Sequence, residues 1–102
     1  MTEVRVGILD ELAEITRIDE GVPEPIAVFR LPSGIYAISD ECTHQQTDLA
    51  TGELDSDEED IECPLHGARF HIPTGAVRSL PATQPVKTYP VAVRDGQVYI
   101  EV

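Results

Sequence analysis

Two short cysteine–histidine pairs constrain this chain more than any other feature: Cys42-Thr43-His44 and Cys63-Pro64-Leu65-His66. They use both cysteines and two of the three histidines of a 102-residue chain. Thiolate and imidazole are soft or borderline donors, and two matched pairs of them make a metal site. The fold must therefore hold two loops face to face, as a rigid sheet can. A disulfide is the competing use of the cysteines. A histidine two or three residues from each favours reduced, metal-binding thiols in a cytosolic setting.

The rest of the sequence has the rhythm of an all-β domain, with strand-like runs broken by Gly, Pro and Asp every eight to twelve residues. Val4, Val6 and Ile8 alternate with Arg5 and Gly7 as a first strand, and Asp10 to Ala13 allow one helical turn. Ile26 to Leu31, the turn Pro32-Ser33-Gly34 and Ile35 to Ile38 read as a hairpin running into Cys42. Ile61 leads into Cys63 as a short strand, and Arg69 to Ile72 lead out. Val86 to Val93, the turn Arg94-Asp95-Gly96 and Gln97 to Val102 read as a closing hairpin. Glu53 to Glu62 is so acidic that it reads as a solvated loop. Leu80 to Pro85 reads as a proline-bounded loop, and one domain over 1–102 is expected from length.

Charge narrows the partners. Residues 1–63 carry 17 acidic and 3 basic side chains, a net of −14, whereas residues 64–102 carry a net of +2. Nucleic acid and anionic lipid should repel such a chain, and a basic protein surface is its natural complement. The start Met1-Thr2-Glu3-Val4-Arg5 has no basic segment followed by an apolar run. With no stretch of spanning length, a cytoplasmic protein without membrane association is expected.

A structural zinc module is one reading of two cysteines and two histidines. Zinc fingers, however, pair like ligands, two cysteines on a knuckle and two histidines on a helix. Here each loop gives one of each, and no helical pattern follows His66. The pairing suits a two-iron cluster of unequal irons, one with both thiolates and the other with both imidazoles.

On Cys42-Thr43-His44 and Cys63-Pro64-Leu65-His66-Gly67 the sequence resembles the Rieske iron–sulfur proteins, and its strand-and-turn rhythm fits that family over nearly the whole chain. The resemblance implies an antiparallel β-sandwich with a small inserted cluster-binding subdomain, about residues 40–82. It implies one [2Fe–2S] cluster per chain, with Cys42 and Cys63 on the buried iron and His44 and His66 on the outer one. Pro81 would lie in the third loop covering the cluster.

Departures from the family's high-potential members are as informative. Those members carry an extra cysteine in each cluster loop, joined as a disulfide; the matching positions here look like Thr47 and Leu65. They also place serine and tyrosine hydroxyls where this chain has Ala68 and Phe70. Hydrogen bonds to the cluster or its sulfurs favour the reduced state and raise the potential, so their loss lowers it. Glu41 and Glu62 push the same way through a screened field. The expected potential is at the low end of the family's range of roughly −150 to +300 mV.

The remaining residues add little chemistry. His71 reads as a strand histidine with one exposed face, Gln45 and Gln46 as a polar rim, and Tyr36, Tyr89 and Tyr99 as sandwich residues. There is no nucleophile beside a base, no phosphate-binding glycine loop and no second metal ligand set, so no catalytic residue is expected. The resemblance thus implies a non-enzymatic electron carrier, a monomer docking transiently. It would serve between an NAD(P)H-dependent ferredoxin reductase and a terminal, ring-hydroxylating oxygenase. A Rieske-like small subunit of a nitrite reductase or another multicomponent oxidoreductase is the alternative.

Overall fold

In a computed structural model, residues 2–41, 48–64, 67–79 and 84–102 are described. Among the described residues eleven strands follow one another: β1 (Glu3–Ile8), β2 (Ile15–Ile18), β3 (Ile26–Leu31), β4 (Gly34–Ser39), β5 (Glu53–Asp55), β6 (Asp60–Glu62), β7 (Arg69–His71), β8 (Val77–Ser79), β9 (Thr88–Tyr89), β10 (Val91–Arg94) and β11 (Gln97–Glu101). All pairings between them are antiparallel. They form three sheets, ordered β1-β11-β10, β2-β3-β4-β9 and β5-β6-β7-β8. The all-β, antiparallel architecture is the one expected.

The continuous apolar run of β3 explains how the sheets stack, because a strand buried on both faces has no polar alternation. Ala27, Phe29 and Leu31 join Ile61, Phe70 and Ile72 of the β5–β8 sheet and its exit in one core. Their neighbours Ile26 and Val28 join Tyr89 and Ile100 in a second core against the β1-β11-β10 sheet. The central sheet thus lies between the other two.

Turn chemistry sets two hairpins. Leu31 pairs with Gly34 across Pro32-Ser33. Arg94 pairs with Gln97 across Asp95-Gly96, whose φ values of 52° and 73° suit the two-residue primed turn that Asp-Gly favours.

Four expectations are corrected. The helical turn is a single 3-10 turn at Leu9–Glu11, ahead of the expected position. The first strand has a register shift between Arg5 and Gly7, which breaks strict alternation. The single run Val86 to Val93 is divided at Pro90, which has no N–H to give a ladder. Its first part, β9, pairs with β4, and its second, β10, with β11. The acidic segment is a hairpin, with Glu53, Leu54 and Asp55 opposite Glu62, Ile61 and Asp60. Its turn is drawn in by the Asp55 carboxylate, which accepts from the main-chain N–H of Asp57 and Glu58. Bonding to Glu58 is the main reason the Asp55 carboxyl lies below its ordinary pKa. Asp60 is buried, held by Arg78 Nε and by His71 Nδ1, each at 3.1 Å. His71 is the partly exposed strand histidine expected, 25% exposed at its side chain.

Candidate metal centre

Cys63 directly follows β6 and is 2% exposed. Leu49, Ile61, Ala68 and Phe70 share its apolar cluster, and each is fully buried. Its main-chain N–H donates to the Ala68 carbonyl at 2.7 Å, which closes the chain around residues 64–67. Gly67 turns that loop with φ of 74°.

The first loop closes by a different device. Glu41 and Asp48 form an antiparallel bridge across 42–47. Asp40, just before it, takes the N–H of Leu49 on its main-chain oxygen at 2.6 Å and that of Ala50 on Oδ1 at 2.8 Å. Its Oδ2 accepts from Arg17 Nε of β2 at 2.6 Å. Arg17 also reaches Asp19 at 3.0 Å and Asp48 at 3.9 Å. The bond to Asp40 is the main cause that raises the Arg17 pKa.

Two contacts bring the stems side by side. Gly52 ends the turn that follows the first loop, and a Cβ there would collide with the main-chain oxygen of Glu62. Only glycine permits that approach. Beyond it, Glu53 pairs with Glu62, so the exit of the first loop lies in register with the entry of the second. Ser79 Oγ accepts from Arg69 N–H at 3.2 Å and donates to the Gly67 carbonyl at 3.4 Å. That ties the start of the third loop to the second.

Behind the first stem lies a hydrogen-bonded group. Glu24 accepts from Ser39 Oγ at 2.6 Å and from the Tyr89 hydroxyl at 2.5 Å. Ser39 and then Tyr89 hold the Glu24 carboxyl below its ordinary pKa. Burial, followed by the Glu24 bond, pushes the Tyr89 phenol well above its own. Tyr89 therefore stays a neutral core residue. Tyr36 packs at the edge of the other core, and Tyr99 lies half-buried under Arg94 at 4.4 Å.

Of the expected ligands, Cys63 is placed, while Cys42, His44 and His66 lie outside the described residues. Gln45, Gln46, Thr47, Leu65 and Pro81 do so too. The described surroundings fit a thiolate-bound iron centre: a thiol nearly removed from water, with apolar neighbours. Neither Ala68 nor Phe70 carries a side-chain donor, and both face the core. Sequence reading missed Asp40, Arg17 and Ser79. Asp40 left one clue, an acid directly following the apolar strand β4; Arg17 and Ser79 left none.

Residues 5–90 match the family model described as the Rieske [2Fe-2S] domain. The chain is 41% identical to the 3-phenylpropionate/cinnamic acid dioxygenase ferredoxin subunit of Photorhabdus laumondii, across 100% of this chain and 96% of that protein. Among solved structures, it resembles the ferredoxin of carbazole 1,9a-dioxygenase from Nocardioides aromaticivorans IC177. The TM-score is 0.90 at 37% identity, covering 98% of this chain and 97% of the other. A ferredoxin solved in complex with the reduced oxygenase of carbazole 1,9a-dioxygenase matches with a TM-score of 0.88 at 36% identity, over 96% of this chain and 100% of that one.

Proposed function

The chain belongs to the Rieske [2Fe–2S] domain family, and from that membership we propose that it is the ferredoxin subunit of an aromatic-ring-hydroxylating dioxygenase system. It takes one electron from an NAD(P)H-dependent reductase and passes it to the terminal oxygenase. The observation that carries this reading is the whole-length match to a dioxygenase ferredoxin subunit.

Cys42, His44, Cys63 and His66 hold the cluster, within a single domain whose cluster-binding part runs from about 40 to 82. When bound, the cluster supplies one reversible electron. The chain's own contribution is to keep the Cys63 thiolate out of water and to deny it side-chain hydroxyls from positions 68 and 70. Fewer hydrogen bonds to sulfur mean a less favoured reduced state and a low potential.

Surface charge supports transient docking. Glu41 and Glu53 are exposed and Glu62 half-buried on the stems of the loops. No described partner offsets them, and the chain carries −12 overall. A basic surface on the oxygenase or the reductase is the complement, giving fast association of a monomer that weakens with salt. No helix among the described residues is long and apolar enough to cross a membrane, in keeping with a carrier that works in the cytoplasm.

Purified protein tests this directly. Iron and acid-labile sulfide should each approach two per chain, and a redox titration followed by electron paramagnetic resonance should show a mixed-ligand cluster of low potential. Colourless protein containing zinc would end the carrier reading.

A further inference from the structure

Asp40 is the most deeply buried carboxylate among the described residues, its side chain 1% exposed. Burying a carboxylate is costly unless charge and hydrogen bonds offset the loss of water. Here both are present, and each points at residues 42–47. Asp40 precedes that segment by two residues, while the N–H groups it holds, Leu49 and Ala50, follow it. One residue thus grips both ends of the loop that bears Cys42 and His44. Its counter-charge, Arg17, comes from β2 of the central sheet, outside the β5–β8 sheet that carries Cys63.

We propose that Asp40 is a positioning residue for the cluster: with Arg17 it ties residue 40 to residues 49 and 50, and so sets the stem from which Cys42 and His44 are presented. The inference rests on the carrier reading above. Asp40 acts by fixing where the chain enters and leaves the loop.

The geometry also sets an order among variants. Asp40→Asn keeps an oxygen to accept from Ala50 but loses the charge that holds Arg17. Asp40→Ala loses both. Arg17→Gln removes the counter-charge from a separate strand and keeps an amide that can still donate to the buried Asp40 carboxylate. Arg17→Lys keeps the charge without the planar fork.

The test uses the cluster-loaded protein and two readouts that do not depend on turnover. The first is the rate of iron release to a ferrous chelator after reduction. The second is the electron paramagnetic resonance spectrum, which reports the symmetry of the ligands. Release should accelerate in the order Asp40→Asn, then Asp40→Ala, the first by roughly tenfold for the loss of the charge-assisted bond to Arg17 and the second by more, since the Ala50 bond goes too. Arg17→Gln should accelerate it by about threefold, with Arg17→Lys restoring part of the difference. Spectra of the Asp40 variants should broaden as the positions of the ligands become heterogeneous.

If Asp40→Ala does not fold, Arg17→Gln and Asp40→Asn decide. Wild-type release rates and unchanged spectra in both would overturn the positioning role alone. Wild-type protein without iron and labile sulfide would overturn the carrier reading, and this role with it.

Discussion

The stem of loop 42–47 is closed by a charge reaching in from another sheet, Arg17 of β2 on the buried Asp40. The stem of residues 64–67 is closed by main-chain geometry, with Cys63 N–H on the Ala68 carbonyl between β6 and β7. The first device depends on one carboxylate and its partner. The second is an extension of a strand ladder and tolerates side-chain change, as long as volumes in the core are kept. The two stems that carry the Cys–His pairs are thus closed differently, one by single charges and the other by packing.

Cys63→Ala attacks the packed stem at its proposed ligand, and the effect should be the largest: purified protein with iron and labile sulfide near zero. Visible absorption checks this. A cluster retained in full would show that residue 63 does not bind iron, and the packed stem would then have no ligand of its own.

Gly52→Ala tests the seam between the two stems. The added methyl meets the main-chain oxygen of Glu62, which cannot rotate away. We expect about 2 kcal/mol loss of stability in urea unfolding of the cluster-free protein. An unchanged midpoint would mean that the stems are not pressed together.

Ala68→Ser sharpens the contrast by placing a hydroxyl in the packed stem without changing how it closes. If the hydroxyl bonds more strongly to the reduced centre by about 1 kcal/mol, the midpoint potential should rise by roughly 40 mV. A potential that falls or stays constant would remove the explanation of low potential from position 68.

The smallest effect belongs to the hydrogen-bonded group behind the charge-held stem. Glu24 is held below its ordinary value of 4.5 when folded. The stability it adds is therefore complete above that value and is lost as the pH falls through the lower, folded one. Glu24→Gln should flatten this acid limb by about 1 kcal/mol while leaving stability at pH 7 to 8 with a constant offset. Unfolding midpoints between pH 3 and 7 check the slope.

Legibility in the sequence followed the range of the forces involved. The β3–β4 and β10–β11 hairpins were readable because apolar periodicity and turn residues act over a few positions. The hairpin at 53–62 was not, since its strands of three residues are too short to show alternation under so many carboxylates. Nor was the division at Pro90, because a run of strand-forming residues does not say which sheet each half joins. Cys63 was legible from spacing as a candidate ligand, and its burial was not. Asp40 was not, because Arg17 lies 23 positions away and only the pairing of β2 with β3 brings the two together.

By itself, the sequence determined the two Cys–His pairs, the all-β rhythm and the absence of hydroxyls at positions 68 and 70, since each is a matter of residue type and local spacing. Tertiary structure alone decided which acids are buried. A carboxylate is solvated unless distant strands deliver its partners, as β2 does for Asp40 and β7 and β8 do for Asp60.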